Sequence, residues 1–521
     1  MSVGEAPAPA APMTYGPPTT SPRPPKPGME GRGKLGAETL IYMLGMVLSR
    51  AASLIMLPIY TRLLTPADYG VLQLLDMTTD VVAIIVSAGC TAGVMRYYFK
   101  ATVERERRAV LGSAFTMQIG LNLIGTILIV IFAQPIWANV LHGAQTRELV
   151  YIAAANFTLG AFAIVPLIYM QIEKRALLFS TISVVRLVMQ LTGNIVFLVV
   201  LHQGPRGVLL SSLIVNVTIG AITSIWMIRR VGLVMSRKAL LDLRRFGLPY
   251  QLATVGTFIV SFGDRLFLDK YGGLASVGLY SLAYQFGFIL DQVGIAPFVR
   301  AWIPRRFEYA HEPKAMRDAK NVQGFRYMNV MAFTAAVGIA VFVHPTLRIL
   351  AHQEFWSAAD IVAIILAAYI VQGWVAVVEL GIDISEKTKY ANYGVWASVA
   401  AVLLLYAVLI PAYGGYGAAW ATLISFVVRL AFHWHFSQRL WPIAYGWAPV
   451  LRLAGYATVV SVAALYLRPE SELAEIGLGV LLFGLFAAAV WTTVLHEEDR
   501  EEILSFASDR KRAIVAKLAA A

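Results

Sequence analysis

A single cysteine, Cys90, stands among 521 residues, so the chain can form no internal disulfide and assemble no cysteine-based zinc centre. Charge is scarce too. Asp, Glu, Lys and Arg make up 14% of the residues, against about 25% in soluble domains. There is no metal-ligand spacing, no nucleophile motif and no glycine-rich phosphate loop. What is abundant is hydrocarbon: 58% hydrophobic residues and a mean hydropathy of +0.66. That composition belongs to a chain that faces lipid, and it overrides the several soluble domains that length alone would favour. The net charge of +12 comes with no nucleic-acid motif, so nucleic acid is not an expected partner.

The segment 1–35 is rich in Pro, Ala and Thr, and it holds neither an apolar run nor the h-region of a signal peptide. It cannot bury a core and is expected to be a disordered cytoplasmic tail. Beyond it the apolar runs long enough to cross a bilayer, about 20 residues each, fall at 38–59, 70–94, 109–133, 148–170, 176–201, 207–228, 246–268, 276–299, 323–347, 355–380, 390–411, 415–436, 450–467 and 474–495. The fold expected is therefore an all-α polytopic membrane protein of 14 transmembrane helices.

Lys and Arg residues test that count, because they accumulate in cytoplasmic loops. With the N-terminus inside, 32 of the 43 fall in cytoplasmic segments, 6 outside and 5 within spans. A miscounted helix would scramble every later loop, so the bias favours fourteen spans with both termini cytoplasmic. It also explains the net charge without any polyanionic partner. The stretch after residue 496 mixes apolar and charged residues and reads as a surface helix.

The chain also repeats itself. RLLTPADYGVLQL, starting at Arg62, has a counterpart in RLFLDKYGGLASVGLYSL, starting at Arg265. Each runs from Arg-Leu through a polar turn into an apolar helix opened by a glycine, Gly70 or Gly278, and those helices end near Arg96 and Arg300. The arginine offsets are 265 − 62 = 203 and 300 − 96 = 204. Six spans separate the copies, so the repeats are parallel and two spans are left at the C-terminus. Such repeats commonly flank a transport path. The expected divisions are 1–35 tail, 36–230 first lobe, 231–440 second lobe, 441–496 two additional spans and 497–521 cytoplasmic tail.

Those hairpins, LPIYTRLLTPADYGVLQL and FGLPYQLATVGTFIVSFGDRLFLDKYGGLASVGLYSLAYQ, resemble the polysaccharide (O-antigen type) flippases, the oligosaccharide-lipid branch of the multidrug/oligosaccharidyl-lipid/polysaccharide (MOP) exporter superfamily. The resemblance covers roughly residues 35–465. It implies two six-helix lobes arranged as a V around a central cavity, plus two peripheral helices. It further implies translocation of an undecaprenyl-pyrophosphate-linked oligosaccharide from the inner to the outer leaflet of the bacterial cytoplasmic membrane. Membrane lipids, polysaccharide polymerases and glycosyltransferases are the partners this implies. No cofactor is expected, though transport could draw on a proton or sodium gradient.

Ionised side chains within hydrocarbon cost about 2.5–3.5 kcal/mol each on insertion scales, so each needs a partner or a wet cavity. Arg50, Asp80, Arg186 and Asp291 fall near mid-depth of their spans, and Asp76 lies one turn from Asp80 on the same helix face. Asp264 and Arg265 are expected as a pair at the outer rim, Glu379 at the inner end of its span, and Arg429 in the inner part of its own. Two readings stand side by side. An Arg50–Asp80 pair would merely lock the first two spans together. Alternatively Arg50, Arg186, Arg429 and Arg265 line the cavity, where the planar guanidinium suits pyrophosphate oxygens. Asp76, Asp80, Asp264, Asp291 and Glu379 are candidates for ion coupling or charge pairing, because a carboxylate removed from water can exchange a proton near neutral pH. His344, His433 and His435 read as interfacial packing.

A membrane-embedded glycan ligase or polymerase would need a sizeable outward loop, and the longest here, about 134–147, leaves little room. A cation or drug antiporter of the same superfamily would have twelve spans and an acidic cavity. Neither fits as well as a non-enzymatic flippase.

Overall fold

A computed structural model describes residues 56–501 apart from 88–89, 142–146, 311, 388, 470 and 498. The expected tail, most of the expected first span with Arg50, and the C-terminal surface helix lie outside the described residues. A helical stretch over 56–63 is followed by α1 (Pro66–Ser87), α2 (Cys90–Lys100), α3 (Glu104–Ile131), α4 (Arg147–Ile172), α5 (Ala176–Ile195), α6 (Gly204–Val231) and α7 (Arg237–Phe262). Then come α8 (Asp264–Leu290), α9 (Ala296–Tyr309), α10 (Lys314–Leu350), α11 (Ala359–Val378), α12 (Leu380–Ile384), α13 (Lys389–Leu440), α14 (Trp447–Tyr466) and α15 (Glu472–Thr493). The described residues contain no strand, as a bilayer demands of a chain that satisfies its backbone within each segment.

Eleven helical stretches among the described residues are long and apolar enough to cross a membrane. Two of them, Thr254–Tyr309 and Lys389–Leu440, run for 56 and 52 residues. At 1.5 Å per residue each would reach about 80 Å, far beyond the ~30 Å hydrocarbon core. Each is broken instead by a glycine outside helical space, Gly273 at φ 72° and Gly414 at φ 53°. Only glycine takes such a φ without strain, so both breaks are written in the sequence.

Large apolar side chains are left uncovered on many helices, Leu177, Leu404, Leu451 and Leu473 among them. In water such surfaces would drive aggregation; in lipid they are the solvent-matched face. Between helices the packing is stitched by polar groups. Asn122 donates to Phe157 O at 2.8 Å, Asn156 to Leu209 O at 2.9 Å, and Asn216 to Asn156 Oδ1 at 3.0 Å, which ties α3, α4 and α6 together. Interhelical bonds of this kind average about 0.6 kcal/mol in a bilayer, so they fix register more than they supply stability. On the other side of the molecule α8, α10, α11 and α13 share one apolar core. Glu475 of α15 meets His344 at 2.5 Å and Arg348 at 3.4 Å, docking the last helix on α10. The two sides meet where α1 lies along α8.

Candidate functional site

Asp76 and Asp80 sit one turn apart on α1, and both side chains are exposed. Among the described residues neither acid has an ion-pair partner. Counting from Pro66, Asp80 lies 14 residues along the helix, about 21 Å.

Arg186 lies near the middle of its own helical span on α5. It precedes Val200, the end of that helical span, by 14 residues, again about 21 Å. It is exposed and has no hydrogen-bond or ion-pair partner among the described residues. Gln190 and Asn194 follow at i+4 and i+8, which gives α5 one polar face. Gln190 donates to Asn194 Oδ1 at 3.1 Å and to Ser211 and Ser212 of α6 at 3.2 and 3.3 Å. Asn194, fully buried, donates at 2.7 Å to the hydroxyl of Tyr60. Tyr60 in turn lies 6.5 Å, ring to ring, from Tyr69 of α1. Hydrogen bonds thus join the polar face of α5 to Tyr60, whose ring packs near Tyr69 of α1.

Asp264 and Arg265 are arranged differently from the expectation. The pair exists, at 2.9 Å, but it is not at a rim: Asp264 is 0% exposed and Arg265 2%. The guanidinium lies 4.8 Å from the ring centre of Phe262 and 4.9 Å from that of Tyr284, and it donates to Ser261 O at 3.1 Å. The helix continues eight residues beyond Arg265 before breaking at Gly273, which places the pair about 12 Å below the turn. Arg265 is therefore sealed in an aromatic box and does not face an open passage.

Asp291 opens a π-helical turn, Asp291–Ile295, and accepts from Gln292 at 3.0 Å. Wide turns of this kind inside helices often mark functional positions. Glu379, partly exposed between α11 and α12, feels both Arg306 and Arg429. Arg429 is partly covered, and its Nε has no hydrogen-bond partner among the described residues. His433 bonds Arg429 O at 2.9 Å and is 0% exposed, so it is a core residue and not the interfacial one expected.

Sequence reasoning missed Arg306, which it counted with the cytoplasmic cations. The structure buries it, with Nη1 on Ala376 O at 2.8 Å and Nη2 on Asp383 at 2.5 Å. It also missed the role of Tyr60 and Asn194; the i, i+4, i+8 polar spacing from Arg186 was the available signal. Among the described residues, no group of His, Cys, Asp and Glu is placed to hold a metal.

Among the described residues these charges belong to an all-helical chain with eleven stretches long and apolar enough to cross a membrane, which defines a multi-pass membrane protein. The family described as "Polysaccharide biosynthesis protein" matches residues 59–360, and the chain belongs to it. The succinoglycan biosynthesis transport protein ExoT of Rhizobium meliloti (strain 1021) is 22% identical over 307 residues, 58% of this chain and 59% of that protein. The chain thus aligns with less than two thirds of that relative. Among solved structures, the lipid II flippase MurJ in an inward closed conformation superposes with a TM-score of 0.68 at 14% identity, covering 87% of this chain and 99% of that one. An inward-facing multidrug resistance MATE family transporter of the MOP superfamily gives 0.59 at 14% identity, with 76% and 97% covered. The fold is that of MurJ and the MATE transporters.

Proposed function

We propose that the protein is a flippase that carries an oligosaccharide linked to undecaprenyl pyrophosphate from the inner to the outer leaflet of a bacterial cytoplasmic membrane. Fourteen spans, two six-helix lobes forming a V and two peripheral helices complete this reading, with both termini cytoplasmic. The two glycine breaks and the undescribed first span are compatible with it. The lobes rock in alternating access; the glycan head crosses a hydrated passage while the prenyl chain stays in lipid. No covalent chemistry is needed. The observation that carries the reading is Arg186: an arginine at mid-span, accessible and without a partner among the described residues, is expensive in hydrocarbon and calls for a wet passage, where an anion can visit it. Its fork can donate two parallel bonds to phosphate oxygens, which a lysine cannot.

The test is complementation of a strain that depends on this protein for its surface glycan. Arg186→Ala is expected to cut glycan export at least tenfold with normal membrane abundance, and Arg186→Lys to restore only part of it. Full export by a well-inserted Arg186→Ala would remove the pyrophosphate role. Coupling to a proton or sodium gradient through Asp76 and Asp80 belongs to the same proposal, and collapse of each gradient in proteoliposomes tests it.

One observation favours a second reading. Asp76 and Asp80 are accessible and lack a described cationic partner, which would suit a cation or drug antiporter of the same superfamily. Purified protein in vesicles separates the two: a flippase moves a fluorescent lipid-linked oligosaccharide, an antiporter moves a lipophilic cation against protons.

A further inference from the structure

α1 and α8 approach each other backbone to backbone at two glycines. A β-carbon added to Gly70 would sit closer than 3.0 Å to Leu274 O and 3.3 Å from Gly278 N. One added to Gly278 would sit closer than 3.0 Å to Pro66 O and 3.1 Å from Gly70 N. The contact is reciprocal. Each glycine faces the carbonyl that lies four residues before the other (70 − 66 = 278 − 274 = 4). This is the geometry of an isologous, two-fold interface, built here inside one chain. Small residues allow such backbone approach between membrane helices, and the bonds it permits are weak Cα–H···O contacts, which separate easily.

A second set of contacts stands beside the crossing. Arg62, at the exposed tip before α1, donates through Nε to Leu350 O at 3.2 Å and through Nη2 to Ile349 O at 2.7 Å. Those carbonyls end α10 and have no partner within their own helix. His352 N donates to Thr61 O at 3.1 Å. Under this strap Tyr69 meets Phe355 edge-on at 6.4 Å, and Phe355 is fully buried. The charge bias of the loops assigns this end of α1 and α8 to the outer face.

We propose that Gly70 and Gly278 form a separable outer seal between the two halves of the chain, and that Arg62 is the latch that holds it shut. The proposal rests on the alternating-access reading above. A crossing that needs two glycines and no ion pair closes by fit and opens by sliding apart. A latch made of a guanidinium on spent helix carbonyls releases to water without stranding a buried charge. Any side chain at either glycine holds the helices apart and leaves the outer side ajar.

The experiment uses full-length protein with Cys90→Ser and a reporter thiol, Ser281→Cys, 1% exposed and three residues past Gly278 on α8, offered to a membrane-impermeant maleimide from the outer side. With the seal intact, labelling is slow. Gly70→Leu and Gly278→Leu are each expected to raise its rate at least tenfold, and Arg62→Ala severalfold. Unchanged labelling in folded, monodisperse glycine variants overturns the seal, and so does labelling that responds only from the inner side. Should the leucine variants not fold, Arg62→Ala alone decides, since it alters only the exposed tip; an unchanged rate then overturns the proposal. The readout needs no substrate. If labelling responds while Arg186→Ala exports glycan normally, the seal stands and the pyrophosphate reading falls; the reverse result spares the flippase and removes the seal.

Discussion

Arg265 and Asp264 permit the sharpest energetic test of the fold. At 2.9 Å and with both side chains sealed, their mutual attraction at an effective dielectric near 20 is about 6 kcal/mol. Cation–π contact with Phe262 and Tyr284 adds roughly 0.5–2 kcal/mol. Desolvating two charges offsets most of that gain, so the pair contributes little net stability against apolar residues of the same shape. Breaking it is another matter. Arg265→Met leaves an uncompensated Asp264, and Asp264→Leu an uncompensated Arg265; each is expected to cost about 3–5 kcal/mol. The double variant Asp264→Leu/Arg265→Met is expected to return within about 1 kcal/mol of the parent, a coupling of several kcal/mol in a double-mutant cycle. The assay is reversible unfolding in mixed micelles with increasing anionic detergent, followed through tryptophan fluorescence. Single variants costing less than about 1 kcal/mol, with no coupling, would mean that water reaches the pair. The aromatic box would then be an open part of the passage, and Arg265 would return to the list of substrate contacts.

Two further outcomes follow from local geometry. Asp499, 1% exposed, accepts from Tyr327 at 2.7 Å, Arg326 at 2.8 Å and His496 N at 3.0 Å. Burial alone would raise its pKa, but those partners outweigh it and hold it below the usual 3.8. A depressed carboxylate stabilises above its unfolded value, so docking of this C-terminal turn on α10 is expected to persist at neutral pH and to weaken as pH falls below about 3.8. Asp499→Asn should speed proteolysis or amide exchange after residue 496 at pH 7; unchanged protection would remove the anchor. Gly394 packs so tightly on the imidazole of His433 that a β-carbon would overlap ring atoms. Gly394→Ala is expected to cost about 1–3 kcal/mol of overpacking, relieved by adding His433→Ala, and a melt of the two variants checks both signs.

Much of the helical plan was legible because it rests on one-dimensional signals. Apolar run length placed spans at 390–411 and 415–436, and the chain does break between them, at Gly414. What was illegible depends on contacts between distant residues. Arg306 lies in a cationic stretch that reads as a cytoplasmic loop, yet its partner Asp383 is 77 residues away and draws it inside. His433 reads as interfacial because hydropathy says nothing of Gly394, whose missing side chain leaves the pocket it fills. The π turn at Asp291–Ile295 has no composition signal at all.

The internal repeat shows how far sequence register can be carried. Aligning Arg62 with Arg265 gives an offset of 203, but these arginines are not equivalent in space. Arg62 stands at an exposed tip on the carbonyls of α10, whereas Arg265 lies inside a helix, eight residues short of its break. The register that the structure uses is that of the glycines, 278 − 70 = 208, matched by 274 − 66 = 208 at the carbonyls they face. Arginine-leucine pairs recur easily at the ends of membrane helices, because cations are favoured there on electrostatic grounds alone. A glycine facing a backbone carbonyl has no such alternative cause, since no other residue fits. Where two registers compete in a repeated membrane chain, the one set by backbone approach is the one to follow, and here it leads from the repeat to the crossing that closes the passage.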